Sequence, residues 1–298
     1  GVPALCRADL CLEGVILEGE NGWQYHSTVE FRQRLEEFLA SPETHEALKR
    51  RAAESAEQFS AQRFAQRVER IYQMQLARRA AKVAAIELDR TLYPILAETL
   101  APYPNAEVVP GDAMKLDLAA LVSDKFSGLT VIACANLPYN ITTPVLTALI
   151  EAGCFASITV MIQREVALRI CAAPGSSDYG AFSVFCQYHT QPELLFEVGP
   201  ECFLPAPKVT SAVIRLVPRS APPQNLVDES FFFQVVRASF AQRRKTLLNG
   251  LSSAFGSRLS KDALRGAIES AGLPADIRGE RLGIPEFATL ASALQNRL

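Results

Sequence analysis

The apolar positions change rhythm at Ala80. Beyond it they fall into short continuous runs: Lys82–Glu87 (KVAAIE), Glu107–Val109, Leu129–Ala135 (LTVIACA), Ser157–Gln163 (SITVMIQ), Glu193–Val198 and Val209–Val217. Runs of this length and composition predict six β-strands. Stretches with helical spacing alternate with them: Arg90–Leu100 with Pro94 in its first turns, Thr142–Ala152 with Pro144 near its start, and Arg164–Ala173. Apolar runs alternating with helices predict an α/β fold with a mostly parallel sheet covered on both faces. A loop rich in Ser, Ala and Pro (Arg219–Gln224) follows Pro218 and ends the alternation. Only helices are predicted after it, around Glu229–Ala241, Lys245–Phe255, Lys261–Ala271 and Pro285–Arg297.

The front of the chain has another pattern. Glu13–Trp23 (EGVILEGENGW) reads as a short strand, Val15-Ile16-Leu17, and a turn at Glu20-Asn21-Gly22. Ser27 and Glu30 have capping-box spacing, and the helix they open puts Phe31, Leu35, Phe38 and Leu39 on one face. Ser41-Pro42 opens a second helix, because Pro suits the first helical position. Its apolar stripe runs on through Leu48, Ala52, Phe59, Phe64, Val68, Tyr72 and Leu76, with no Gly or Pro before Pro94. One helix is therefore expected to cross from the first segment into the second.

Length and composition narrow the class. The 298 residues are a prior of about two domains. At 49% hydrophobic and 21% charged, the chain is neither disordered, collagenous nor a disulfide miniprotein. No apolar run reaches the ~18 residues of a membrane span, and Gly1–Leu12 lack the basic start and apolar core of a signal peptide. The seven cysteines are scattered without C-x-x-C spacing, so no disulfide framework and a reducing cytoplasm are expected. The three histidines (His26, His45, His189) show no metal-site spacing, so no metal is expected.

Charge is unevenly spread. Residues 1–73 carry −3, residues 74–203 carry −5, and residues 204–298 carry thirteen Lys and Arg against seven Asp and Glu, net +6. A basic last third on an acidic body points to a polyanion partner, although many solvated helix faces are basic too.

In open α/β sheets ligands bind at the carboxyl ends of the strands, and three polar signals fall there. Glu87 ends the first strand, where an acid accepts from the ribose hydroxyls of a nucleoside cofactor; an acid answering a helix dipole is the plainer alternative and fits Asp89 better. Asp112, in Gly111-Asp112-Ala113, is placed to accept from an adenine amine, and reads equally well as a turn residue. The third signal is Asn136-Leu137-Pro138-Tyr139, directly after LTVIACA. Pro138 fixes its own φ and holds Leu137 extended, which can aim the Leu137 carbonyl and the Asn136 side-chain oxygen at one point. Two acceptors there would hold an exocyclic amine, pyramidalise its nitrogen and free its lone pair for in-line attack on a methyl donor, with Tyr139 stacking on the base. A helix-entry turn with Asn as cap is the alternative for the bare tetrapeptide.

The wider order of motifs carries a resemblance. Asn136–Ile141 is followed by Gln163-Arg164-Glu165-Val166, Asp178-Tyr179-Gly180, Phe203–Val213 (FLPAPKVTSAV), Phe240–Leu247 (FAQRRKTL) and Arg278–Leu282 (RGERL). In this order and spacing, residues from about Leu76 to Leu298 closely resemble the small-subunit ribosomal RNA adenine N6,N6-dimethyltransferases, the kasugamycin-resistance methylases. The resemblance implies a Rossmann-like class I methyltransferase sheet with a small C-terminal all-helical domain. It implies that Glu87 holds the ribose of S-adenosylmethionine and Asp112 its adenine amine, with Asn136 at the junction of cofactor and target. Asn136, Leu137 and Pro138 would present the target N6, and Tyr139 and Phe203 would sandwich a flipped adenine. Arg164, Lys208, Arg243, Arg244 and Lys245 would contact phosphates of small-subunit RNA. A cytoplasmic monomer is expected.

The resemblance is incomplete. The family's first strand and its Gly-rich E-x-G-x-G-x-G turn, which carries the methionine end of the cofactor, have no counterpart here. Six strands are predicted where this fold has seven. Residues 1–73 instead resemble the tail of a two-lobed (GT-B, group 1) glycosyltransferase, through Gly1-Val2-Pro3, Glu13–Ile16, Glu18–Trp23 and the helical stretch ending Val68–Tyr72. The expected domains are a glycosyltransferase-tail-like segment (1–73), a truncated methyltransferase domain (74–219) and an rRNA-binding helical domain (225–298). Losing a central strand leaves two inner sheet edges unpaired, and Val15–Leu17 is expected to pair somewhere on the sheet. A non-catalytic RNA-binding remnant is the competing reading, and a glycosyltransferase fragment the third.

Overall fold

The computed structural model describes residues 4–7, 16, 20–40, 42–57, 79–203, 207–221, 223, 226, 228–242 and 245–298. The chain divides into two compact units, Gly1–Pro110 and Gly111–Leu298.

The first unit opens with β1 (Ala4–Arg7) and β2 (Gly22–Tyr25), a parallel pair. The expected strand at Val15–Leu17 is not supported: Ile16 is a bend, and Val15 and Leu17 lie outside the described residues. Helix α1 (Thr28–Ala40) starts where the capping pattern places it. Glu30 N donates to Ser27 Oγ (3.2 Å), while the Glu30 carboxylate accepts from His26 N (2.8 Å), one residue earlier than in the standard box. Its expected apolar face is only partly covered: Tyr25 meets the Phe31 ring edge-on at 5.0 Å, but Leu39 is 63% exposed. Helix α2 (Pro42–Glu57) begins at its proline and buries Leu48 and Ala52. The expected continuation through Phe59–Leu76 lies outside the described residues.

Next come β3 (Val83–Glu87), a 3-10 turn (Arg90–Leu92), α3 (Tyr93–Leu100) and β4 (Ala106–Pro110). Strands β3 and β4 pair in parallel, Val83 opposite Ala106 and Glu87 opposite Pro110. Asp89 caps the turn, its carboxylate accepting from Thr91 N (2.9 Å) and Thr91 Oγ1 (2.7 Å), and these bonds hold its pKa below the ordinary carboxylate value.

The second unit contains α4 (Leu118–Lys125), β5 (Ile132–Asn136), α5 (Thr142–Glu151), β6 (Ser157–Gln163), α6 (Arg164–Cys171), α7 (Ala181–His189), β7 (Thr190–Val198) and β8 (Ser211–Pro218). Its sheet has the order β5-β6-β8-β7. Strands β5 and β6 pair in parallel, and β8 runs antiparallel between β6 and β7. Three of its four strands share one direction, as the mostly parallel expectation requires, and β8 alone is reversed. An antiparallel strand needs no helical crossover, and the described residues between β7 and β8 include the 3-10 turn Pro200–Cys202 and no α-helix. One face of the sheet is dry: Ile158 and Ile162 of β6, and Ala212, Ile214 and Leu216 of β8, are fully buried.

Among the described residues β3 pairs only with β4, and β5 only with β6. The strands between Val83 and Pro218 therefore fall into a two-stranded and a four-stranded sheet. Ile132 of β5 is 57% exposed, whereas Ile158 opposite Ala133 is buried. Amides over Ile132–Asn136 should consequently exchange with deuterated water faster than those over Ser157–Gln163. Equal protection would mean that a strand fills the β5 edge.

Helices α8 (Glu229–Phe240), α9 (Leu247–Phe255), α10 (Lys261–Ser270) and α11 (Ile284–Gln295) match the four predicted. They share one core with Tyr179 and with Val184 and Tyr188 of α7. Close backbone approach sets their packing: a Cβ at Gly279 would stand 2.5 Å from the Ser239 carbonyl, and one at Gly250 2.5 Å from that of Ala238. Gly279 in RGERL therefore has a packing role, letting the turn Gly279–Arg281 sit on α8. No described helix is long and apolar enough to cross a membrane, and no described group of His, Cys, Asp and Glu has the makings of a metal site.

Candidate base-binding site at the sheet edge

The register of the second unit collects the base-side motifs on one edge. Strands β5 and β6 end there, at Asn136 and Gln163. Strand β8 begins there, Ser211 standing opposite Gln163, and β7 ends there, Val198 standing opposite Ser211. Antiparallel insertion of β8 thus brings four separate motifs together: Asn136–Tyr139, Gln163-Arg164, the start of β8 and the segment leading to Phe203.

Asn136 is exposed at the end of β5, and its side-chain amide bonds to no described residue. Leu137 is buried, and its N donates to Met161 O (3.1 Å), which ties the loop to β6. The Leu137 carbonyl accepts from no described residue. Pro138 is extended (φ −58°, ψ 134°), as its ring requires. Its carbonyl accepts from Ile141 N (3.2 Å) and Thr142 Oγ1 (3.2 Å), which closes the turn into α5. The predicted helix entry is therefore present, but Thr142 closes it rather than Asn136. The acceptor of Asn136 is left open.

The Tyr139 hydroxyl shares a hydrogen bond of 2.6 Å with Ser211 Oγ, and Ser211 is fully buried. This bond fixes the far end of the ring. The two residues are 72 apart in the chain, so local pattern gives no sign of their contact. Phe203 is half-buried and extended (φ −124°, ψ 149°) after the 3-10 turn Pro200–Cys202. Its ring makes no aromatic contact with another described residue. Arg164 opens α6; its N donates to Thr210 O (3.0 Å) and its Nε to Glu197 Oε1 (2.6 Å). Lys208 and Lys245 are exposed, and Arg243 and Arg244 lie outside the described residues.

The two expected cofactor acids are each held locally. Glu87, in the first unit, is half-buried at the end of β3 and accepts from Asp89 N through Oε1 (2.6 Å). Asp112, in the second, accepts from Met114 N through Oδ1 (3.0 Å) and stands 3.6 Å from Lys115 Nζ. The turn-forming reading of Asp112 therefore holds, alongside whatever else its carboxylate binds.

These features define a class: a Rossmann-like sheet whose strand ends gather exposed polar groups at one edge, the fold of known rRNA methyltransferases. The fold matches the crystal structure of a dimethyladenosine transferase from Plasmodium falciparum, with a TM-score of 0.61 at 22% identity over 75% of this chain and 85% of that one. It also matches the crystal structure of the 23S rRNA methyltransferase ErmE, with a TM-score of 0.55 at 23% identity over 74% and 85%. A family model for ribosomal RNA adenine dimethylase matches residues 71–271. Proteins named ribosomal RNA small subunit methyltransferase A are 45% identical over 227 residues in Geobacillus sp. (strain WCH70), spanning 75% of this chain and 78% of the relative. In Bacillus mycoides (strain KBAB4) the figures are 48% over 223 residues, 74% and 76%. The chain belongs to the ribosomal RNA adenine dimethylase family. Residues 1–70 lie outside the family match, and the likeness of residues 1–73 to a glycosyltransferase tail draws no support from these comparisons.

Proposed function

We propose that this chain dimethylates N6 of adenines in small-subunit ribosomal RNA, in the cytoplasm and as a monomer, with S-adenosylmethionine as methyl donor. The observation that carries the reading is the pair of open acceptors, Asn136 Oδ1 and Leu137 O, on the edge that also anchors Tyr139 through Ser211. Each acceptor takes one N–H of the target amine. Held this way the amine turns out of conjugation with the ring, and its lone pair becomes nucleophilic. Tyr139 and Phe203 grip the faces of a base that has left its stack. Exposed Lys208 and Lys245, with Arg164, meet the phosphates; Arg243 and Arg244 join them in the basic last third.

The donor's fit is uneven. Glu87 and Asp112 are carboxylates at strand carboxyl ends, suited to ribose hydroxyls and an adenine amine. No residue of the chain matches the Gly-rich turn that would hold the methionine end. When bound, S-adenosylmethionine supplies an electrophilic methyl group. Calorimetry of its binding to the purified chain is the direct test, and binding is expected to be lost in Glu87→Ala. A folded chain that binds none would replace this reading with a non-catalytic RNA-binding remnant. The division of the strands into two sheets is the observation that favours that second reading.

A further inference from the structure

The geometry points to Glu197 as the residue that positions Arg164 for an RNA phosphate; the inference rests on the reading that Arg164 contacts RNA. Arg164 and Glu197 lie 33 residues apart and on opposite sides of β8. The backbone of Arg164 is pinned to Thr210, and its side chain crosses to β7, where Nε meets Glu197 Oε1 at 2.6 Å. The ion pair is half-exposed, 46% and 43% for the two side chains, so it adds little to folding. Its form is informative. Glu197 takes the donor nearest the stem, and the remaining guanidinium N–H groups bond to no described residue. A guanidinium offers five donors in a rigid fork, so anchoring at Nε leaves donors free for a phosphate. The anchor also removes much of the rotamer freedom that a long side chain would lose on binding. The pair sits on the same sheet edge as Asn136, Tyr139 and Ser211, where a bound RNA strand would pass its backbone.

The sign of the effect distinguishes positioning from plain electrostatics. Removing a carboxylate from an RNA-binding face should strengthen binding if charge is all that matters. If Glu197 positions Arg164, Glu197→Ala should weaken binding despite the lost negative charge. The measurement is affinity of the full chain and its variants for small ribosomal subunits lacking the adenine dimethylation, across a salt series, with melting curves to confirm folding. Arg164→Ala is expected to weaken binding and flatten the salt slope by about one. Glu197→Ala is expected to weaken it about three- to tenfold, the scale of one lost charge-assisted contact. Glu197→Gln, whose amide oxygen still accepts from Nε, is expected to bind at least as well as the parent. Glu197→Ala in the Arg164→Ala background should cause no further loss. If Arg164→Ala weakens binding and Glu197→Ala does not, positioning is overturned while the RNA reading of Arg164 stands. If Arg164→Ala changes nothing, that reading falls and takes the inference with it.

Discussion

Replacing Asn136 with alanine is expected to lower methyl transfer to unmethylated small subunits about 10²- to 10³-fold, the scale of losing one preorganised hydrogen-bonding group. Asn136 closes β5, and its side chain bonds to no described residue, so the substitution removes an acceptor without breaking a protein contact. Leu137 O alone then holds one N–H of the target. The amine can rotate back into conjugation with the ring, and its lone pair is lost to the reaction. The loss should appear in kcat, because the interaction strengthens as the nitrogen becomes tetrahedral. Subunit affinity should change little, because the phosphate contacts proposed for Arg164, Lys208 and Lys245 do not involve the Asn136 side chain. Labelled methyl incorporation and subunit binding, measured on the same preparation, check both halves. Full activity in Asn136→Ala would remove this residue from the reaction. Ser211→Ala makes a milder comparison: it frees the Tyr139 hydroxyl and should weaken binding of the base more than it slows transfer.

The largest effect on stability is expected at Phe232. It is fully buried on α8, packs against Tyr188 of α7 with ring centroids 5.4 Å apart, and meets Phe233 edge-on at 5.0 Å. Phe232→Ala should cost about 3–5 kcal/mol, the range for deleting a buried phenyl ring. That is a large share of the roughly 5–15 kcal/mol that holds a domain folded. The contact joins a helix of the terminal four to a helix preceding β7, so the loss should be felt in the second unit as a whole. Urea unfolding followed by circular dichroism measures it. A cost under about 1 kcal/mol would mean that the site collapses around the missing ring, as loosely packed cores can.

Local chemistry carried much of the reading. The capping pattern at Ser27–Glu30, the proline at Pro42 and the apolar runs placed elements within a few residues of where they form. The two unanticipated helices show where such signals fade. Ala181–His189 (AFSVFCQYH) holds three aromatic residues, a β-branched Val184 and His189, all of modest helical preference, and it is helical because Val184, Cys186 and Tyr188 bury against the rest of the unit. Leu118–Lys125 carried a usable signal, since Asp117 caps it by accepting from Ala120 N (2.9 Å).

The candidate site divides in the same way. Asn136, Leu137, Pro138 and Tyr139 were legible because Pro138 dictates its own backbone and the motif follows a strand directly. Ser211 and Glu197 were not, because their partners are 72 and 33 residues away and only strand pairing brings them together. The sequence by itself determined most elements after Ala80, the motifs and the family, since caps, periodicity and fixed dihedrals act over a few residues. Only the tertiary structure decided that β8 inserts antiparallel, that four motifs share one edge, and that the described strands from β3 onward divide into two sheets. Strand order and register depend on hydrogen bonds between distant residues, which hydrophobic period cannot specify.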